Sequence, residues 1–181
     1  MLERGLPTII DADALTVLST DGDLRELVRD HPCAVLTPHA GEFERLYATT
    51  LGRELDLSEG LGVRLRELSD ALDCFILHKG RITMVTAPGQ KIYGMNAGHS
   101  YAATAGSGDV LSGILGATLA QLDAAEADAE AIIMEILHAA AIHQHAAAIA
   151  AHTPDGFGLC SASQIAASVP QAIARLLLMQ R

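Results

Sequence analysis

The chain has 181 residues, half of them hydrophobic and 3% aromatic, with 12 Lys and Arg against 22 Asp and Glu for a formal net charge of −10. This length suits one domain over residues 1–181 with a core of Ala, Leu, Ile and Val, and the charge excludes nucleic acid and anionic membranes as partners, since their phosphates call for basic patches. No stretch reads as a membrane span, residues 1–5 lack the regions of a leader, and Cys33, Cys74 and Cys160 form neither a disulfide framework nor a zinc pattern, which fits a reducing cytoplasm.

Short Val/Ile-rich runs alternating with Ala/Leu-rich helical segments point to an α/β class. Pro7-Thr8-Ile9-Ile10 reads as a buried strand ending in Asp11-Ala12-Asp13. One of these two carboxylates can help hold a metal or the sheet edge, and a shared acid–base pair is not expected of them. Leu24, Leu27 and Val28 mark a short helical face. A second strand, Cys33-Ala34-Val35-Leu36-Thr37, stops at Pro38, and His39-Ala40-Gly41-Glu42 opens a helix carrying Phe43 and Leu46. Leu61, Leu65, Leu68 and Leu72 give the spacing of an amphipathic helix over 60–72.

Cys74-Phe75-Ile76-Leu77 is a third buried strand, and Lys79-Gly80 turns it into a fourth, Ile82-Thr83-Met84-Val85-Thr86. Pro88-Gly89 is a tight turn, and Lys91-Ile92-Tyr93 begins one more strand. A helix follows the glycine run near 106 and reaches about Gln121, a long alanine-rich helix covers 129–151, and Asp155-Gly156-Phe157-Gly158 ends the helical region. Ser161 or Ser163 caps a last helix with Ile165, Val169, Ile173 and Leu177. His138, His145 and His152 recur at heptad spacing on the long helix, with His143 nearby. They read as partly exposed helix residues, because zinc sites want tighter spacing and a further ligand.

Three constellations carry chemistry. Ala105-Gly106-Ser107-Gly108-Asp109 runs straight into the apolar Val110-Leu111-Ser112-Gly113-Ile114-Leu115. A small-residue turn at a helix start presents backbone N–H groups and the positive dipole end to an anion, so Ala105 to Gly108 form a candidate anion hole. Asp109 beside a bound phosphate suits a proton acceptor for a hydroxyl undergoing phosphoryl transfer. Read alone, the run is first of all an ordinary cap and turn. His39 and Glu42 gather at one strand end, where His39 contacts substrate and Glu42 organises a metal-bound phosphate through water; a first-turn carboxylate favoured by the helix dipole reads the same way. The corner Lys79-Gly80-Arg81, with Ile82 and Thr83, lines a nucleotide pocket, although a hairpin needs a glycine there for local reasons alone. An anionic ligand needs a local positive field against the global charge, and Lys79 and Arg81 supply it.

Asp11-Ala12-Asp13-Ala14-Leu15, Leu36-Thr37-Pro38-His39-Ala40-Gly41-Glu42, Lys79-Gly80, the run from Ala103 to Gly113, and Gly158-Leu159-Cys160-Ser161-Ala162-Ser163 follow one another in a fixed order. In that order the chain resembles the ADP/ATP-dependent NAD(P)H-hydrate dehydratases, a branch of the ribokinase-like superfamily. The resemblance implies a layered α/β fold with a central, mostly parallel sheet flanked by helices. It also implies a repair enzyme that takes hydrated NADH or NADPH, the metabolite NAD(P)HX, as its small-molecule substrate. The ring hydroxyl is phosphorylated with ADP or ATP and Mg2+, phosphate is expelled, and an NAD(P)H-hydrate epimerase is functionally linked. By position, Asp109 and His39 contact the hydrate, and Lys79, Gly80, Arg81, Ile82, Thr83 and Gly108 meet the nucleotide.

Ser107 stands where the family has threonine, Ala40 where it has proline, and His145-Ala146 where it has glycine-aspartate. The family domain also carries an N-terminal portion before the strand at Ile9, so the resemblance implies a chain that begins near the middle of the fold, with an unpaired sheet edge that favours association into a homo-oligomer. A vitamin-precursor kinase of the same superfamily, and a non-catalytic nucleotide-binding remnant, share the anion loop and remain as alternatives.

Overall fold

Apolar runs of three to five residues, each closed by a polar or turn-forming residue, pair side by side into one sheet. The computed structural model describes residues 6–96, 100–122 and 127–179; residues 1–5, read above for a leader, lie outside them. Strands β1 (Thr8–Ile10), β2 (Ala34–Leu36), β3 (Phe75–His78), β4 (Ile82–Thr86) and β5 (Tyr93–Asn96) lie in the order β1-β2-β3-β4-β5. β1, β2 and β3 pair in parallel, while β4 is antiparallel to both β3 and β5. Four strands thus run one way and β4 alone runs the other, the mostly parallel sheet that the resemblance implied.

The sheet is buried on both faces, and side-chain alternation sorts the two cores. Ala34, Leu36 and Ile76 point to one side, where they meet α1 (Asp13–Thr20), α2 (Gly22–Arg29), α3 (Ala40–Leu51) and α4 (Leu61–Leu72) through Leu15, Leu18, Phe43, Leu46 and Leu68. Val35, Phe75 and Leu77 point to the other, against Leu115 and Leu119 of α5 (Ser107–Leu119) and Ile133 and Ile136 of α6 (Ala129–Ala151). A last helix, α7 (Ala162–Met179), packs Ile165 and Ala172 on Ala146 and Ala147 of α6. Ile76 is fully buried on the middle strand, so Ile76→Val should lower stability by about 1 kcal/mol without changing the fold, read as a lower urea midpoint at unchanged slope.

Four sequence expectations change. Asp13 opens α1 instead of prolonging β1, with Ala12 at φ +50° breaking the strand. The fifth strand begins at Tyr93, where Val85↔Tyr93 starts the β4–β5 ladder. His152–Thr153 and Gly156–Phe157 form β6 and β7, a two-residue antiparallel ribbon after α6. The fourth concerns membrane spans: α6, with 23 residues, is long and apolar enough to cross a membrane by length and composition. Its apolarity is accounted for by packing, because it lies against the sheet, α5 and α7. Ser161, and not Ser163, caps α7: Ser161 Oγ accepts from Gln164 N at 3.3 Å and Gln164 Oε1 from Ser161 N at 2.8 Å, a reciprocal box.

Candidate active site

The parallel strands deliver their turns to one end of the sheet, where α/β folds place ligands. Asp11 follows β1, His39 follows β2 after Pro38, and Lys79 follows β3. Backbone pairing continues past β2 and β3: Lys79 N–H donates to the Pro38 carbonyl at 2.8 Å, and His39 and Lys79 form a parallel bridge. Residues far apart in the chain therefore become neighbours through register alone.

An ion pair ties the three turns together. Lys79 Nζ lies 2.6 Å from Asp11 Oδ1 and 4.0 Å from Glu42 Oε2, with all three side chains mostly buried. Asp11 Oδ2 also accepts from Ser112 Oγ of α5 at 3.0 Å. Burial opposes ionisation of Asp11, but the Lys79 hydrogen bond and charge, with hydrogen bonds from Thr37 and Ser112, outweigh it and hold the carboxyl below its ordinary pKa. Sequence reading gave Asp11 only a candidacy, shared with Asp13, for holding a metal or the sheet edge, and the structure places it in this ion pair. His78, just before Lys79, packs edge-on to Phe43 at 5.5 Å. Burial, with His39 nearby, depresses its pKa, so it adds no charge at neutral pH.

Glu42 and His39 form a capping box on α3. Glu42 Oε2 accepts from His39 N at 2.8 Å, and His39 Nδ1 accepts from Gly41 N at 3.1 Å and Glu42 N at 3.4 Å. The first-turn role weighed for Glu42 is thus present. His39 Nδ1 is engaged as an acceptor, and its ring remains mostly exposed at the cleft.

The first turn of α5 faces this cluster. Gly106 caps the helix at φ +80°, a left-handed conformation that glycine adopts freely. A β-carbon on Gly108 would lie 3.6 Å from Asp11 Oδ2 and 3.8 Å from Lys79 Nζ, so the helix backbone comes close to the ion pair. Ser107 departs from the anion-hole expectation: its N–H donates to the Thr104 carbonyl at 3.1 Å. Its hydroxyl is instead 2.9 Å from His143 Nε2, and both residues are buried. Among the described residues, the amides of Ala105, Gly106, Gly108 and Asp109 have no protein acceptor. Asp109 is exposed, and its carboxylate makes no hydrogen bond or ion pair among them.

A cleft of about 990 Å³ opens beside this turn. It is lined by His39, Lys79, Gly80, Arg81 and Thr83, by Ser107 and Gly108 of α5, and by His143, Gln144 and Ala147 of α6. Ile82, Glu42, Ala105, Gly106 and Asp109 do not line it. Asp109 and the cleft therefore flank one stretch of backbone. Arg81 makes no ion pair among the described residues and is a cation left available to a bound anion.

A family model described as NAD(P)H-hydrate dehydratase matches residues 1–166. The chain belongs to this family. The bifunctional NAD(P)H-hydrate repair enzyme Nnr of Corynebacterium glutamicum is 39% identical over 193 aligned residues, covering 97% of this chain and 33% of that protein. The ADP-dependent (S)-NAD(P)H-hydrate dehydratase of Neisseria meningitidis serogroup B is 40% identical over 115 residues, 64% of this chain and 38% of that protein. The chain spans about a third of the length of such curated relatives. The fold is also that of a ribokinase-like superfamily protein from Enterococcus faecalis, with a TM-score of 0.69 at 22% identity over 92% of this chain and 52% of that one. Family membership and the ribokinase-like fold agree with the motif series.

Proposed function

We propose that this chain acts, as a single domain over residues 1–181, in ADP-dependent dehydration of the S epimer of NAD(P)HX, regenerating NADH or NADPH with release of AMP and phosphate. The observation that carries this reading is the first turn of α5, where the Gly108 and Asp109 amides, without a protein acceptor among the described residues, separate the cleft and the Lys79–Asp11 pair from the exposed Asp109 carboxylate.

In this reading the cleft holds ADP, with Lys79, Gly80, Arg81 and Thr83 along the nucleotide and the Gly108 amide at its terminal phosphate. The hydrate contacts His39 and presents its ring hydroxyl to Asp109, which takes the proton as the new O–P bond forms and the bond to AMP breaks. Amides aimed at the transferring group, with the positive end of the α5 dipole, stabilise its charge. The ring nitrogen's lone pair then expels phosphate, the adjacent ring carbon loses its proton to water, and the dihydronicotinamide is restored.

The residues fit a nucleotide-borne magnesium ion. Mg2+ is held by one or two carboxylates together with phosphates and waters, and the described residues contain no cluster of three metal-ligating side chains. Glu42 would hold it through water, and the ion would neutralise phosphate charge during transfer. The unpaired thiols of Cys33, Cys74 and Cys160 suit the cytoplasm; burial raises Cys33 to about 11. An NAD(P)H-hydrate epimerase belongs to the same route, supplying the S hydrate.

Incubating the purified protein with (S)-NADHX, ADP and Mg2+ tests the reading. Absorbance at about 340 nm, shared by dihydronicotinamides, should rise, with AMP and phosphate formed in equal amounts. A stable phosphorylated product would instead identify a small-molecule kinase, and no thermal stabilisation by millimolar ADP would remove the nucleotide site altogether.

A further inference from the structure

The proposed chemistry rests on the first turn of α5, which its own cap secures poorly. Gly106 supplies no side-chain cap, and Ala105 and Gly106 before the turn are exposed. Ser107 supplies the cross-link from this turn to another helix. It is 4% exposed, His143 on α6 is 7% exposed, and Oγ and Nε2 are 2.9 Å apart. Burial lowers the His143 pKa more than its contact with the Ser107 backbone raises it, so the ring is neutral, with one donor and one acceptor nitrogen. The separation is that of a serine–histidine dyad, but Oγ is buried and His143 has no carboxylate partner among the described residues. The pair therefore serves geometry rather than attack.

We infer that His143 is a positioning residue for phosphoryl transfer, acting through Ser107 Oγ to fix the Gly108 and Asp109 amides and the Asp109 carboxylate. The inference rests on the dehydratase reading and adds to it a tie from the α6 wall of the cleft to the reacting end. Ser107 immediately precedes Gly108, so slack in the tie moves both amides together. A displacement of about 1 Å at such a site costs up to about 100-fold in rate, and a partial loosening is expected to cost about 10-fold.

Steady-state kinetics on the purified protein test this. His143→Leu, which keeps volume but removes both nitrogens, should lower kcat about 10-fold with KM for ADP changed less than about threefold. His143→Gln, whose amide offers either a donor or an acceptor, should recover most of the loss. Ser107→Ala should match His143→Leu, and the double variant should fall no further than either single one, as expected for two halves of one contact. Independently of turnover, amide hydrogen exchange at Ser107 and Val110, whose N–H groups donate to the Thr104 and Gly106 carbonyls, should quicken in His143→Leu and Ser107→Ala.

Wild-type kcat and exchange in both variants would overturn the inference, as would equal losses in His143→Gln and His143→Leu, which mark packing alone. Should His143→Leu fail to fold, Ser107→Ala and His143→Gln decide by the same criteria. Wild-type protein that does not turn over the hydrate, with exchange still responding to the substitutions, removes the dehydratase reading and leaves the tie standing.

Discussion

Asp109→Asn is expected to cut hydrate turnover by about 10²–10⁴-fold, the range of a lost general base, while ADP still binds. Asp109 occupies the first turn of α5, exposed and without a side-chain partner among the described residues. The substitution therefore removes no contact from the fold and gives up only the interaction of a carboxylate with a helix N-terminus, about 0.3–1 kcal/mol. The Gly108 and Asp109 amides remain, and a negative charge near the phosphates is gone, so ADP affinity should hold or tighten. The signature is a fall in kcat at unchanged or lower KM for ADP. A continuous absorbance assay with thermal-shift titration of ADP measures both, and turnover within about threefold of wild type would remove Asp109 from the role of base.

The same turn shows why parts of the site were readable from sequence. A switch from small residues to an apolar run cannot continue a strand, so the start of α5 is legible at Ser107, and the runs ending at Asp11, Pro38 and Lys79 mark strand ends directly. The partner of each turn is not legible. Asp11 meets Lys79 across 68 positions and Ser112 across 101, joined by the parallel register of β1, β2 and β3 and by the packing of α5 against β1.

Local signals also misled. Ala12 adopts φ +50°, which alanine does not advertise, so the sequence marked only the end of β1 at Asp11-Ala12-Asp13 and α1 was hidden. His138 and His152 are exposed as their spacing suggests, whereas His143 is buried, because α5 and α7 both cover α6. Ser107 looked like an amide donor to an anion. The tight turn to Thr104 uses that amide, and the side chain becomes the informative group.

Lys79→Met is expected to lower kcat/KM for ADP by about 10²-fold, typical of losing one electrostatic stabiliser, and to weaken the acid dependence of stability that Asp11 contributes. In the native protein the Asp11 pKa lies below its ordinary value. Its stabilisation is therefore complete above about pH 4, near the unfolded value, and is lost as pH falls through the depressed native one. Without Lys79, burial opposes only the hydrogen bonds from Thr37 and Ser112, and the depression of the Asp11 pKa shrinks. The carboxylate then lacks its cationic partner at neutral pH, at a cost of about 2 kcal/mol for a partly exposed pair, and less of its contribution is left to be lost on acidification. Urea midpoints between pH 7 and 3 should thus fall with acid less steeply in Lys79→Met than in wild type. Asp11→Asn/Lys79→Met, which lacks both charges, should recover much of the neutral-pH loss but none of the activity. Parallel midpoint curves for wild type and Lys79→Met would show that the 2.6 Å contact does not govern Asp11, and with it would fall the account of how β1 and β3 hold a cation at the phosphate end of the cleft.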